Sequence, residues 1–274
     1  MALPRSEYLS NVWKDGIFEN KVVFCTGGAG TICSAQVRAL VHLGANAFII
    51  GRNVIGIGAV DVRKIEDLEK AAAQCVKELG SLDFCIAGAA GDFISPISGL
   101  SANAFRTVVE IDTIGSFNTL KATLHYLIES AARNPNTGNN PSTGGRIIFV
   151  SATFHFKGMA LQAHASAAKA GVDALSATAA IEYGPRGVTS IIITPGPIIG
   201  AEGMERLGSR EAEKCGAAFK KVPLGRYGTV KEIADGTVYL FSDAGKYVNG
   251  EVQYPDYLLD ETFSRQKPEQ KAKI

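Results

Sequence analysis

The sequence has little net charge, no long apolar run and no paired cysteines. Its 274 residues carry a formal net charge of +1, which gives no field to attract nucleic acid or acidic membrane surfaces. No apolar run approaches the roughly 20 residues that a membrane-spanning helix needs. The segment Met1–Asn20 is polar and mixed, unlike a signal peptide. We therefore expect no nucleic-acid partner and no membrane span.

The cysteines are scattered, and metal-ligand spacing is missing. No two cysteines form a C-x-x-C pair, and no His, Cys and Asp residues cluster as metal ligands do. Such a pattern is typical of reduced thiols in an intracellular protein. We expect no metal, and mostly buried packing roles for the five cysteines: Cys25, Cys33, Cys75, Cys85 and Cys215.

Short apolar segments alternate with amphipathic ones along the chain. The strands are predicted at 21–25, 47–50, 57–60, 82–86, 146–150 and 188–193, and the helices at 34–43, 65–79, 102–132 and 162–183. Strands that alternate with helices indicate a parallel sheet. We predict a single-domain α/β fold, a Rossmann-type doubly wound parallel sheet flanked by helices. This domain covers 21–252, with an N-terminal extension at 1–20 and a tail at 253–274.

Two junctions in this pattern are short. Between Asn53 and Ile57 no room is left for a helix, although a parallel crossover needs a dozen or more residues. The last strand also stops abruptly near Glu251–Tyr254. Either the fold is trimmed at these places or the sequence lacks residues there; we favour missing residues near Asn53–Val54 and Val252–Gln253.

A glycine-rich turn joins the first predicted strand to the first helix. Its backbone N–H groups and the following helix N-terminus suit a phosphate, and glycines let the backbone approach it. The spacing is unusual, because Thr31 and Cys33 stand where T-G-x-x-x-G-x-G has glycine. The predicted dinucleotide-binding residues of this turn are Thr26, Gly27, Gly28, Gly30, Thr31 and Ile32.

Arg52 ends the second predicted strand, where the adenosine ribose should lie. An arginine there favours the 2′-phosphate of NADP over the 2′-hydroxyl of NAD. The alternative is an ordinary surface arginine. Asp61 and Val62 follow the third strand and would bracket the adenine, unless Asp61 only caps the next helix. We predict NADPH as the cofactor.

Five motifs fall in the order and spacing of the short-chain dehydrogenase/reductase family. They are Thr26–Gly30, Ala87–Gly91, Asp112-x-x-Gly115, Lys169 and Pro195-Gly196-Pro197. The resemblance spans roughly residues 21–250. The family's catalytic Asn, Ser, Tyr and Lys correspond here to Asp112, Ala152, Ala165 and Lys169. Only the lysine is kept, so the usual proton donor for carbonyl reduction is missing.

The sequence resembles one branch of that family, the peroxisomal 2,4-dienoyl-CoA reductases. The similar segments are Ala87–Phe93, Ile111–Asn118, Ser151–Phe154 and Thr194–Ile198, and the turn TGGAGTIC (26–33) is similar to that of the fungal members. The resemblance implies reduction of 2,4-dienoyl-CoA to 3-enoyl-CoA, an auxiliary step in peroxisomal β-oxidation of unsaturated fatty acids. Hydride addition at C5 leaves a dienolate, which needs hydrogen-bond donors rather than an acid on a carbonyl oxygen.

The resemblance assigns catalytic roles to two residues. Lys169 would hold the nicotinamide ribose and place positive charge near the developing anion. Asp112 lies among apolar residues, where an unpaired carboxylate is costly, so Lys169 is its expected partner. Asp112 would either relay a proton or only orient Lys169.

Further candidates surround the expected crevice. Ala87, Gly88 and Ala89 are small enough for the cofactor to pack closely. Pro195, Gly196 and Ile198 follow the sixth strand, where the Ile198 backbone would meet the nicotinamide carboxamide unless the segment is an ordinary Pro-Gly turn. Phe93 and Phe154 are expected to line an acyl pocket. His155 and His164 are candidate acids, but lone histidines in loops are more often solvated, and we interpret both as solvated loop residues. A basic helix at 203–221 would either meet coenzyme A phosphates or form a solvated face.

Three expectations concern location and assembly. The last residues, Ala272-Lys273-Ile274, have the small–basic–aliphatic pattern of a peroxisomal signal, which an import receptor would bind. The family implies a homodimer or homotetramer through the two long helices. The alternatives to a dienoyl-CoA reductase are a carbonyl or alcohol oxidoreductase of the same fold and a non-catalytic dinucleotide-binding protein.

Overall fold

The computed structural model describes residues 4–51, 60–138, 144–153, 156, 158–201, 222 and 224–253. The strands are β1 (Val22–Thr26), β2 (Asn46–Ile50), β3 (Phe84–Ala87), β4 (Arg146–Val150), β5 (Thr189–Ile193) and β6 (Val252–Gln253). The helices are α1 (Thr31–His42), α2 (Ile65–Leu79), α3 (Ala102–Val109), α4 (Gly115–Arg133), α5 (Ala163–Tyr183) and α6 (Val230–Phe241). A π-helical turn, Glu110–Ile114, joins α3 to α4.

The described strands form one parallel sheet in the order β2-β1-β3-β4-β5-β6. The chain runs outward from β1 to β2 and then returns past β1 to β3, so the strand order reverses between β1 and β3. In such sheets, ligands bind at the carboxyl ends of the strands beside this reversal. The predicted doubly wound α/β fold is confirmed.

Apolar layers cover both faces of the sheet, which explains why the strands are almost wholly apolar. On one face α1 and α6 pack with the N-terminal residues Leu9 and Phe18, all in one buried cluster. Phe84 of β3 stacks on Phe241 of α6 with ring centroids 4.6 Å apart. On the other face α2, α4 and α5 contribute to a second buried cluster.

The predicted elements mostly match, with two informative differences. The single helix predicted over 102–132 is interrupted by the π-helical turn, which widens the backbone at Asp112. Helix α6 was not predicted, although Thr229 and Glu232 form a capping box at its start. The strand predicted at 57–60 is not formed at Val60, and its other residues lie outside the described part, as does the helix predicted at 203–221.

The two short junctions lie at the edges of the described sheet. β2 is one edge strand, and Val60 is buried in the cluster beside α2. Residues 52–59, between Gly51 and Val60, lie outside the described part. β6 forms the other edge and has only two residues. Whether sequence is missing at either place stays a prediction.

No helix in the described part of the chain is long and apolar enough to cross a membrane.

Candidate active site

The glycine-rich turn after β1 is built for close backbone contact. Gly27 has a left-handed φ of 68°, and a Cβ there would lie 2.6 Å from the Gly88 carbonyl oxygen. Gly30 caps α1 without any side-chain hydrogen bond. The first-turn N–H groups of a helix have no partner within the helix, so they attract anions. The turn therefore fits the pyrophosphate of a dinucleotide.

Two predicted turn residues support the turn from behind. The Thr26 hydroxyl accepts hydrogen bonds from the Gly88 and Ala89 N–H groups at 3.1 and 3.3 Å. A Cβ on Gly28 would lie 2.1 Å from Ile49 Cγ2. Thr26 therefore joins the β1 turn to the segment after β3, and Gly28 lets β2 pack against it.

One cavity of about 650 Å³ lies along the carboxyl ends of the strands. It is large enough for a cofactor together with part of a substrate. Among the predicted residues, those that line it are Gly27, Gly30, Thr31, Ile32, Asp61, Val62, Gly88, Ala89, Phe93, Asp112 and Lys169. Thr26, Gly28 and Ala87 are not among the lining residues.

One side of the cavity is formed by the segment before α2, where Asp61 and Val62 are predicted to bracket the adenine. The Asp61 carboxylate accepts hydrogen bonds from the backbone N–H and the guanidinium of Arg63, and these contacts lower the Asp61 pKa to about 2. Asp61 does not cap α2, whose N-cap residue is Lys64 without a side-chain cap. The Val62 carbonyl accepts a bond from the Asn118 amide at 3.0 Å. Arg52 lies outside the described residues.

Lys169 and Asp112 meet on the floor of the cavity. Lys169 Nζ lies 3.2 Å from Asp112 Oδ2 and donates to the Val150 carbonyl oxygen at 2.9 Å. The other carboxylate oxygen of Asp112 accepts from the Gly91 N–H at 2.7 Å. Asp112 is 1% exposed and Lys169 is 7% exposed. The expected direct pairing is present, so the buried carboxylate has a partner for each oxygen.

Two elements set this pairing. The π-helical turn carries Asp112, and such turns often mark functional sites. Thr113, next along the turn, donates to the Ala168 carbonyl oxygen at 2.8 Å. A Cβ on Gly171 would lie 2.7 Å from Thr113 Cγ2. The π-helical turn therefore packs closely against α5, and this contact sets the distance between the Asp112 carboxylate and the Lys169 ammonium.

The positions of the family's tyrosine and serine are apolar. Ala165 lines the cavity and is 2% exposed, and Ala152 stands where the serine would be. The neighbouring Ser151 also lines the cavity, and its buried hydroxyl has no hydrogen-bond partner among the described residues. An unpartnered buried hydroxyl is costly without a ligand, so Ser151 fits a polar ligand atom. Its position beside Ala152 was the available sequence signal, and it was missed.

A second polar group lies at the substrate side and was not predicted. His164 is fully buried at the start of α5, and its Nε2 lies 3.5 Å from Asp92 Oδ1. The interpretation of His164 as a solvated loop residue is wrong. Helix α5 begins at Ala163, so His164 lies in its first turn, and its side chain is buried. Burial raises the Asp92 pKa, partly offset by a backbone hydrogen bond from Phe93. Phe93 lines the cavity as predicted; Phe154 and His155 lie outside the described residues.

The Pro195–Pro197 turn lies apart from the lining of the large cavity. Gly196 and Ile198 line a separate cavity of about 200 Å³, near Glu232 of α6. The turn is fixed by bonds between Ile199 N–H and the Gly228 carbonyl, and between Gly228 N–H and the Pro197 carbonyl. The nicotinamide role of Pro195, Gly196 and Ile198 stays a prediction.

The cysteine prediction is confirmed for the described residues. Cys25, Cys33, Cys75 and Cys85 are free and buried, and Cys215 lies outside the described part. Within that part, no three His, Cys, Asp or Glu residues lie together as a metal site would require.

Comparison with known proteins gives consistent similarities over most of the chain. The family model described as enoyl-(acyl carrier protein) reductase matches residues 28–257. The peroxisomal 2,4-dienoyl-CoA reductase of Saccharomyces cerevisiae is 44% identical over 89% of this chain and 85% of its own. The corresponding Danio rerio protein is 36% identical over 90% and 84%.

Solved structures show the same architecture. A short chain dehydrogenase from Bacillus anthracis superimposes with a TM-score of 0.72 at 31% identity, over 86% of this chain and 95% of its own. A Brucella melitensis 3-ketoacyl-(acyl-carrier-protein) reductase complexed with NADH gives a TM-score of 0.75 at 18% identity, over 87% and 98%. At that identity the likeness concerns the fold alone.

Proposed function

Because this chain belongs to the short-chain dehydrogenase/reductase family, we propose that it reduces 2,4-dienoyl-CoA to 3-enoyl-CoA with NADPH. Relatives 35–44% identical over most of the chain are named peroxisomal 2,4-dienoyl-CoA reductases. The observation that carries the proposal is the buried Lys169–Asp112 pair in a cavity that Ala165, at the position of the family's tyrosine, also lines. The reaction is an auxiliary step of peroxisomal β-oxidation.

The described residues fit a nicotinamide cofactor. The turn at Gly27–Gly30 and the start of α1 would hold its pyrophosphate, and Asp61 and Val62 would border the adenine. Lys169 would hold the nicotinamide ribose from the floor of the cavity. The bound cofactor supplies the hydride that adds at C5 of the dienoyl thioester.

The protein's own groups act on the charge and on the proton. Hydride addition moves negative charge onto the thioester oxygen, and positive charge at Lys169 stabilises it. Asp112 fixes Lys169 and relays a proton toward C2, with water as the carrier. Each Asp112 oxygen already has a partner, Lys169 Nζ on one side and the Gly91 N–H on the other, so the carboxylate also orients the lysine.

The deciding experiment mixes the purified protein with NADPH and a 2,4-dienoyl-CoA and follows nicotinamide absorbance. We expect oxidation with 3-enoyl-CoA as product. Lys169→Ala and Asp112→Ala should each lower kcat by about 10²–10⁴-fold, while Lys77→Ala, on the exposed side of α2, should match the unmodified protein. Activity that survives Asp112→Ala would move the proton relay elsewhere.

The two alternatives give different results in the same assay. Turnover of simple ketones without turnover of dienoyl thioesters would identify a carbonyl oxidoreductase. Tight NADPH binding with no oxidation by any enoyl or dienoyl thioester would identify a non-catalytic binding protein. Either result would overturn the proposal.

Arg52 is proposed to select NADPH through the 2′-phosphate. Arg52→Ala should raise the KM for NADPH and leave the KM for NADH nearly unchanged. Equal KM changes for both cofactors would show that Arg52 does not contact the 2′-phosphate.

The import receptor and the assembly are further parts of the proposal. The peroxisomal names of the relatives support a role for Ala272–Ile274 as the receptor-binding signal. A fluorescent fusion should enter peroxisomes and fail to do so without these three residues. Exposed apolar residues on α4 and α5, Phe117 and Ile181, support a homodimer or homotetramer, which light scattering would distinguish from a monomer.

A further inference from the structure

His164 makes three contacts with the segment that follows β3. Its Nε2 lies 3.0 Å from the Phe93 carbonyl oxygen and 3.5 Å from Asp92 Oδ1. Its ring also stacks on the Phe93 ring, with centroids 4.2 Å apart and planes 19° from parallel. All three contacts are made by a side chain with no exposed surface.

These contacts settle where the imidazole proton lies. A carbonyl oxygen only accepts hydrogen bonds, so Nε2 must carry the hydrogen that reaches Phe93. Gln162 donates to the same carbonyl oxygen through its amide at 3.2 Å. His164 Nδ1 is buried, and no group in the described part of the chain forms a hydrogen bond with it. At the start of α5, two side chains, Gln162 and His164, therefore donate hydrogen bonds to the Phe93 carbonyl oxygen.

The segment Gly91–Phe93 reaches the Lys169–Asp112 pair at its other end. The Gly91 N–H donates to Asp112 Oδ1 at 2.7 Å, and Asp92 and Phe93 line the cavity. A shift of the segment at Phe93 would consequently move the donor on Asp112. His164 and Lys169 lie on the same helix, so α5 controls the floor and the wall of the cavity together.

We propose that His164 is a positioning residue for the dienoyl thioester, holding Gly91–Phe93 so that Asp112 stays aligned and Phe93 faces the acyl group. This inference rests on the proposed function, since it names how the same site places its substrate. His164 does not touch the reacting atoms and acts through the segment that it holds.

Two substitutions separate the hydrogen bond from the packing. His164→Phe keeps an aromatic ring against Phe93 and removes Nε2, so the Phe93 carbonyl oxygen loses the hydrogen bond from this position. His164→Gln keeps an N–H donor and loses the ring. If the donor matters, His164→Phe should lower kcat for the dienoyl thioester about tenfold, the scale expected when a buried hydrogen bond is lost. His164→Gln should stay within about threefold of the unmodified protein.

The readouts distinguish positioning from a general loss of structure. The NADPH dissociation constant should change less than about twofold in both variants, since the phosphate turn is held by other residues. A double-mutant cycle with Asp92→Asn should be non-additive, because the two side chains contact each other. Equal kcat in His164→Phe and the unmodified protein would overturn the inference, as would a matching loss of NADPH affinity.

Hydrogen exchange tests the inference independently of activity. In the NADPH complex, the Gly91 amide should exchange about tenfold faster in His164→Phe than in the unmodified protein. Unchanged exchange would overturn the positioning role. An unmodified protein that does not oxidise NADPH with a dienoyl thioester would overturn the proposed function, and the Gly91 exchange rate would still show whether His164 holds the segment.

Discussion

Gly88 leaves no room for a methyl group under the phosphate turn. A Cβ there would lie 2.2 Å from Cys33 Sγ and 3.2 Å from the Thr26 carbonyl oxygen. Gly88→Ala should therefore displace the start of α1 and weaken NADPH binding at least about tenfold, as overpacking of 1–3 kcal/mol implies. Titration of nicotinamide fluorescence would measure this.

Gly236 is the matched control for that substitution. It lies inside α6, and a Cβ there would meet nothing within 4 Å. Gly236→Ala should leave NADPH affinity unchanged and raise the free energy of unfolding by about 0.5–1 kcal/mol through helix propensity. Equal NADPH affinity in both variants would contradict the steric role of Gly88.

The buried thiols should resist alkylation in the folded protein. Burial raises the pKa of Cys75 and of Cys85 to about 12, so both are protonated at pH 8 and lack the reactive thiolate. We expect iodoacetamide to modify them only after unfolding, as peptide mass spectrometry would show. Rapid labelling of Cys85 under native conditions would mean that β3 opens locally.

At the residue scale, functional residues were predicted from the sequence at positions that match a motif of the family. Asp112 and Lys169 were found because their spacing matches the motif, and the structure brings them together. Asp92 lies in the similar segment Ala87–Phe93, but no motif pairs it with His164. Their contact joins residues 72 positions apart, and it depends on the first turn of α5. Single-sequence periodicity carries no signal for such a contact.

At the element scale, α6 depends on its N-terminal cap. The Thr229 hydroxyl accepts from the Glu232 N–H, and the Glu232 carboxylate accepts from the Thr229 N–H. Removing a cap of this kind costs about 1 kcal/mol. Thr229→Ala should lower the free energy of unfolding by about that amount, as denaturant titration would measure, with Thr178→Ala on α5 as the exposed control.

The same cap gives a pH dependence with a definite sign. Hydrogen bonds and charge from Arg226, with Thr229, lower the Glu232 pKa to about 2. Its contribution to stability is therefore complete above the unfolded pKa of about 4.3 and is lost as the pH falls through about 2. Glu232→Gln should remove this part of the acid dependence. A difference between the two proteins that is constant from pH 7 to pH 2 would contradict it.

The helix that the π-helical turn interrupts shows which feature of an element the sequence pattern does not predict. The sequence predicts one helix over 102–132, and α3 and α4 do follow that pattern. The π-helical turn between them adds one residue to the backbone ring at Asp112, which propensity does not encode. In the structure, Gly91 and Lys169 contact the Asp112 carboxylate from other elements, and helical periodicity carries no record of such contacts.

At the scale of the whole molecule, the N-terminal residues belong to the core. Leu9 and Phe18 have no exposed surface, and Asp235 of α6 accepts bonds from the Ser10 N–H at 3.0 Å and the Trp13 indole at 2.7 Å. Leu9→Ala should lower the free energy of unfolding by about 2–5 kcal/mol through the cavity that it leaves. Val12→Ala, on a side chain 82% exposed, should change the free energy little.

The overall fold was predictable because it depends on repeated local signals. Apolar strands and amphipathic helices alternate along the chain, and they assemble into the expected parallel sheet. The packing of 1–20 was not predictable in the same way, since its partners lie on α1, β3 and α6, and α6 itself was missed. The sequence therefore predicted an extension where the structure places Leu9 and Phe18 inside a core cluster.

The contact between Ser10 and Asp235 spans 225 positions of the chain. During synthesis, residues 9–18 leave the ribosome long before α6 has been made. Until then, Leu9 and Phe18 lack the part of their packing that α6 provides. Domains complete their core only when such distant segments are both available. Because Leu9 and Phe18 belong to the same buried cluster as α6, this part of the core is completed only after α6 has been synthesised.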